Sequence, residues 1–188
     1  MDYPRPVPWN LTADAAKKLI ASAQKPACVV TGGSPEKIMG LAQITGASYL
    51  QLHCGESLQD TALIVRELGR YGVRVIKTLF PNTPDIERAA ADFCALGVYA
   101  LLLDPRTPDN AAQGGQADLS LYRKISLGVT CPVVLAGGIT PDNAAETVRA
   151  SGAGFLDIMS GLESRPGVKD ERKVAALFQA LGRRPAVE

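Results

Sequence analysis

Six short apolar runs, Ala27–Val30, Tyr49–His53, Val73–Thr78, Val98–Asp104, Pro132–Ala136 and Phe155–Met159, recur along the chain, and each is trailed by a segment with helical spacing. Their near-continuous Val, Ile and Leu content suits strands covered on both faces, as in a parallel sheet. Between them the period changes: Ile38, Leu41, Ala42 and Thr45 form one stripe, as do Leu58, Thr61, Ala62 and Val65, and later Val174, Leu177, Phe178 and Leu181. Each stripe presents one apolar face to the sheet. Ser34-Pro35, Thr83-Pro84 and Thr140-Pro141 read as helix starts, with a capping hydroxyl and proline at the first helical position. With a further helix over Thr12 to Ala23, the pattern is one helix followed by six βα units, six strands and seven helices in all. Such alternation predicts an α/β fold of the β/α-barrel type.

A closed barrel of that type has eight strands and typically ~250 residues. At 188 residues this chain reads as one barrel-like domain over 1–188, two strands short, with a proline-rich extended start over residues 1–10. The 20 basic and 19 acidic residues leave a net charge of +1, so no global field draws in nucleic acid or an anionic membrane. The N-terminus lacks a secretory pattern, and no run approaches the roughly 20 apolar residues of a membrane span. A cytoplasmic location is expected. Cys28, Cys54, Cys94 and Cys131 form no CxxC pair and only one histidine is present, which predicts free thiols, mostly buried, with neither a disulfide framework nor a metal site.

The last two runs end in Leu135-Ala136-Gly137-Gly138-Ile139-Thr140-Pro141 and Met159-Ser160-Gly161-Leu162-Glu163. Adjacent exits of this kind are where β/α barrels hold phosphate. Gly137 and Gly138 let the backbone approach an anion, the helix opening at Pro141 directs free N–H groups toward it, and Ser160 and Gly161 add a hydroxyl and a second amide cluster. The plain structural alternative is that these glycines serve tight turns only.

Tyr49-Leu50-Gln51-Leu52-His53, Val75-Ile76-Lys77, Leu101-Leu102-Leu103-Asp104, Leu135 through Asn143, and Ser160-Gly161-Leu162-Glu163 through Asp170 stand in an order and spacing that resemble the phosphoribosylanthranilate isomerase family. The resemblance runs over nearly the whole chain. It implies a (β/α)8 barrel lacking its first βαβ segment, roughly 30 residues, and an enzyme of tryptophan biosynthesis that performs an Amadori isomerisation of a phosphoribosyl-amine without a cofactor. That chemistry needs an acid for the ribose ring oxygen and a base for the C2 proton.

Carried over by position, the resemblance makes Asp104 the general acid. The structural alternative is that Asp104 caps the turn before Pro105 or pairs with Arg106. The family's base is a cysteine in a Lys-Ile-Cys-Gly motif that this sequence does not contain, and its anthranilate-binding arginine has only Arg5, near Trp9, as a substitute. The family's Gly-Gly-Thr-Gly stretch is shortened to Gly114-Gly115-Gln116-Ala117-Asp118-Leu119, where Asp118 matches its aspartate without the aromatic neighbour. Cys54, at a strand exit, is a weak candidate base, conditional on Lys77 or another cation lowering its pKa. Cys28, Cys94 and Cys131 read as core, and His53 as a structural group hydrogen-bonded at a strand end. Lys77 is left open between anion contact and pairing with a carboxylate; a Schiff-base lyase using it has no support nearby.

Unpaired strand edges invite another chain. The expected partners are therefore a phosphorylated sugar as ligand, and a second copy or another polypeptide covering the exposed edges. The base being unidentified, a noncatalytic relative that binds phosphosugar or another anion and acts through oligomeric assembly is the alternative to the isomerase.

Overall fold

The computed structural model describes residues 10–107 and 115–182. Its centre is a parallel sheet of six strands, β1 (Cys28–Thr31), β2 (Tyr49–Leu52), β3 (Arg74–Leu79), β4 (Ala100–Leu103), β5 (Val133–Ala136) and β6 (Phe155–Asp157), hydrogen-bonded in chain order. Helix α1 (Ala13–Ser22) precedes β1, and α2 (Pro35–Thr45), α3 (Leu58–Gly69), α4 (Ile86–Ala95), α5 (Leu119–Gly128), α6 (Ala144–Ser151) and α7 (Glu171–Ala180) follow the strands in turn. Among the described residues this is a TIM-type half-barrel of six parallel strands and seven α-helices, with β1 and β6 unpaired to one another. Every strand runs the same way, so the residues just after each strand share one edge, where enzymes of this architecture keep their chemistry.

Local sequence explains most boundaries. Thr12 Oγ1 accepts from the Ala15 amide at 3.2 Å to start α1, and Ser34 Oγ accepts from Lys37 at 3.4 Å with Pro35 at the first turn of α2. Two of the three hydroxyl-proline starts behave otherwise. Thr83 closes a turn on Phe80, its Oγ1 accepting from the Phe80 amide at 3.3 Å, and α4 begins three residues later, after Asp85 at φ 43°. After Thr140 the chain makes one turn before α6 starts at Ala144, because the Asn143 side chain bridges the loop: its Oδ1 accepts from the Thr140 amide at 2.8 Å and its Nδ2 donates to the Gly138 carbonyl at 2.9 Å. Beyond β6 lie elements absent from the periodicity, a 3-10 helix (Ser160–Leu162) and an antiparallel ribbon of β7 (Glu163–Arg165) and β8 (Val168–Lys169). The strands are too short to carry an alternation signal.

Apolar side chains bury in two clusters that meet at Val65. One joins Leu50, Leu52, Ile38 and Ile64 around β1 to β3, and the other joins Leu101, Leu135, Phe93 and Ile125 around β3 to β6. No helix among the described residues is long and apolar enough to cross a membrane.

Candidate active site at the strand exits

Asp104 follows β4 with its carboxyl turned inward and 1% exposed. It accepts from four donors. The Arg106 amide and Nε reach Oδ1, each at 2.9 Å; Arg106 Nη2 reaches Oδ2 at 2.9 Å; and His53 Nε2 lies 3.1 Å from Oδ2. Burial alone would raise the pKa of this acid, but the hydrogen bonds from His53 and Arg106 and the guanidinium charge override it and bring the value down to about 2. The pairing with Arg106 and the hydrogen-bonded state of His53 are therefore both present. His53, 5% exposed, also meets the edge of the Phe80 ring at 5.2 Å.

Beside this network opens a cavity of about 580 Å³, walled by α1, β1 and the end of β6 through residues such as Leu19, Ile20 and Val30. Gln51, His53, Asp104, Arg106, Asp157 and Lys169 supply its polar wall. Asp157, the last residue of β6, opposes Ala136 in register, so one strand separates it from Asp104. Burial pushes its pKa up, the Asp104 carboxylate pushes it further, and Arg106, His53 and Lys169 offset this only in part. Cys28 corrects the core expectation: it stands exposed on edge strand β1, on the cavity wall, and its crowded surroundings and Asp157 push the thiol up to about 12. Cys94 and Cys131 are half-buried neighbours at the other end of the sheet, where Cys94 Sγ accepts from the Cys131 amide at 3.1 Å.

A second polar cluster stands at the exits of β2 and β3. Lys77 Nζ donates to Glu56 Oε2 at 2.7 Å and to the Cys54 carbonyl at 3.0 Å, and the two side chains of the ion pair are 3% and 2% exposed. Lys77 thus pairs with a carboxylate. Cys54 packs its thiol against Gly32, where an added Cβ would fall 2.2 Å from Sγ. Its pKa is raised by burial and by Glu56, which outweigh Lys77 and Lys37. The condition for an activated thiol is reversed here.

The two glycine bends adjoin. An alanine Cβ at Gly161 would sit 1.9 Å from the Ile139 carbonyl oxygen, so the bend after β6 nests directly against the bend after β5. Gly138, at φ 63°, carries the Gln116 side chain over it, while Gly137 packs on Pro105 and its carbonyl accepts from the Ala117 amide at 3.2 Å. Gly138, Thr140, Ser160, Gly161, Arg172 and Lys173 border a separate hollow of about 540 Å³. Asp118 caps α5, its Oδ1 accepting from the Leu121 amide at 2.9 Å. Arg5, Trp9 and Gly114 lie outside the described residues.

Sequence reasoning missed Asp157 and Glu56. Asp157 stands at a strand exit, the same positional signal that marked Asp104; Glu56 sits in a loop and its partner is 21 residues away.

The family model of N-(5'phosphoribosyl)anthranilate (PRA) isomerase matches residues 7–180. The chain belongs to this family. It is 36% identical over 190 residues to the N-(5'-phosphoribosyl)anthranilate isomerase of Paramagnetospirillum magneticum, covering 96% of this chain and 85% of that one. The Rhodopseudomonas palustris (strain BisA53) isomerase is 34% identical over 181 residues, with 94% and 80% covered. The crystal structure of phosphoribosyl anthranilate isomerase from Thermus thermophilus superposes with a TM-score of 0.72 at 28% identity, covering 91% of this chain and 80% of that chain. A phosphoribosyl anthranilate isomerase in complex with reduced 1-(o-carboxyphenylamino)-1-deoxyribulose 5-phosphate shares the fold, with a TM-score of 0.71 at 23% identity. Family membership agrees with the resemblance read from the strand-exit motifs.

Proposed function

We propose that this family member isomerises a phosphoribosyl-amine, N-(5'-phosphoribosyl)anthranilate, at the exits of β4 to β6, as a cytoplasmic enzyme of tryptophan biosynthesis. The observation that carries the reading is the juxtaposition of a cavity whose polar wall includes Asp104 with nested glycine bends after β5 and β6. The phosphate is held at Gly138, Gly161 and Ser160, with Gly137 shaping the bend, and Arg172 and Lys173 on α7 add cationic charge at the border of the hollow. The ribose then extends toward Asp104, the residue the resemblance makes the general acid. All of its hydrogen bonds in the resting site are accepted ones, so a proton it delivers must first reach it from a neighbouring group. Cys54 has no part in this reading, since its environment keeps the thiol protonated.

The test is turnover of freshly made N-(5'-phosphoribosyl)anthranilate by the chain and by Asp104→Ala. Activity in the first, lost in the second, is the expected result. A noncatalytic phosphosugar binder is favoured by the closed Cys54 and by Arg106 covering Asp104. It wins if ribose 5-phosphate binds while no turnover occurs. The exposed Phe155 on β6 and the outer edges of β1 and β6, unpaired among the described residues, support a second copy or another polypeptide as cover. Light scattering that returns a well-folded monomer at micromolar concentration would contradict that part.

A further inference from the structure

Cys94 and Cys131 meet at the end of the sheet opposite the strand exits. Cys94 is the penultimate residue of α4, and Cys131 stands two residues ahead of β5. The Pro132 carbonyl accepts from the Leu101 amide at 2.9 Å, which fixes the Cys131 segment beside β4. Donors converge on one of the two sulfurs. The Cys131 amide donates to Cys94 Sγ at 3.1 Å, Thr130 Oγ1 lies 3.5 Å from it, and the two thiols are hydrogen-bonded to each other. A cysteine that only fills space in a core needs no such donors. The last turn of a helix disfavours negative charge, so these contacts are what can hold a thiolate at Cys94.

We propose that Cys94 and Cys131 are a redox modification site, a thiol pair that a low-molecular-weight disulfide converts into a reversible bond tying the end of α4 to the start of β5. Cys94 is the attacking sulfur. Burial raises its pKa, but the hydrogen bonds from Cys131 and Thr130 outweigh this and bring it below the ordinary thiol value. Cys131 is the resolving sulfur. Burial pushes its thiol up to about 12, helped by the hydrogen bond to Cys94 and the Cys94 charge, and the last two causes vanish once Cys94 is capped. Both residues are half-buried, open enough for a small disulfide, and hydrogen-bonded sulfurs need only a small side-chain rotation to reach bonding distance. At Cys28 and Cys54 burial and a neighbouring carboxylate act the other way and push the thiol up. Neither Cys94 nor Cys131 belongs to the candidate active site, so the pair stands whether or not the chain isomerises its substrate. In a reducing compartment such a bond is transient, which fits a responsive pair rather than a structural disulfide.

The exchange balances in two steps. The Cys94 thiolate attacks one sulfur of the small disulfide, whose S–S bond breaks, and the other half leaves as a thiolate that takes up the proton Cys94 has lost. Cys131 then loses its proton and attacks Cys94 Sγ. The mixed disulfide breaks, and the second half leaves as a thiolate that is protonated in turn. The two cysteines have given up two electrons and two protons, and the small disulfide has been reduced to two thiols.

The reduced full chain is incubated with oxidised glutathione at neutral pH, quenched with iodoacetamide at intervals and digested without reductant for mass spectrometry. The expected product is a peptide pair linked through Cys94 and Cys131, formed before any glutathione adduct on Cys28 or Cys54 and reversed by dithiothreitol. Cys131→Ser should stop at a glutathione adduct on Cys94, and Cys94→Ser should leave Cys131 unmodified. The linked residues are 37 apart in the chain, so the oxidised protein should melt roughly 5–10 °C above the reduced one. Full alkylation of both cysteines after the incubation, an adduct that stays on Cys94 of the unsubstituted chain without linkage, or a first adduct on Cys28 overturns the proposal. A linked chain that melts no higher than the reduced one overturns the tie between α4 and β5. The linkage map of the unsubstituted chain decides even where a serine variant does not fold.

Discussion

Glu56–Lys77 and Asp104–Arg106 are both carboxylate–cation pairs at strand exits, yet they differ in what they leave over. The first is sealed: both side chains are under 5% exposed, and the Cys54 carbonyl takes a further lysine proton. The second opens on the large cavity, where the Arg106 guanidinium pairs with Asp104 and its charge is also felt by Asp157. A matched pair in a closed space positions a loop, whereas an acid beside an open space is a candidate for chemistry.

Replacing Lys77 by Met should produce the largest effect on stability, because it strands a buried carboxylate, at a cost of about 3–5 kcal/mol. Urea unfolding checks it, and Lys77→Met with Glu56→Leu should recover most of the loss. A single-variant loss under about 1 kcal/mol would dissolve the distinction between the clusters. Asp104→Asn should cost less, about 1.5–3 kcal/mol, the range for hydrogen bonds to a charged group. Asp104 has a folded pKa below its unfolded one, so its stabilising contribution is present above about pH 4 and is lost as pH falls toward 2. The acid-side slope of the stability curve should therefore flatten in the variant.

Gly161→Ala must displace the Ile139 carbonyl, an overpacking worth about 1–3 kcal/mol. It should also weaken binding of ribose 5-phosphate, measured by calorimetry, while a nearby Ser164→Ala leaves it unchanged. The smallest effect is expected for Asp157→Asn. Its folded pKa is raised, so the stability it contributes is present below its unfolded pKa and is lost as pH rises through the folded value. The amide spares the site the cost of ionising a buried acid beside Asp104, and the melting temperature should rise slightly above the folded pKa. A fall would show that Asp157 holds the fold rather than serving the site.

The strands were legible because residues covered on both faces must be apolar in a continuous run, and the starts of α1 and α2 because a capping hydroxyl is a local signal. Thr83 and Thr140 misplaced two helix starts, since the same Thr-Pro pair also closes a turn when Phe80 or Asn143 offers a partner. Asp104 was visible from its strand exit. Its surroundings were not, because His53 lies 51 residues away in the sequence. Cys28 read as core since apolar strands are ordinarily covered, but β1 is an edge.

The most direct test is a crystal structure of this protein with reduced 1-(o-carboxyphenylamino)-1-deoxyribulose 5-phosphate. The expected complex has its phosphate within hydrogen-bonding distance of the Gly138 and Gly161 amides and its sugar chain reaching the Asp104 carboxyl. A phosphate seated elsewhere, or a sugar chain that does not meet Asp104, would contradict the account.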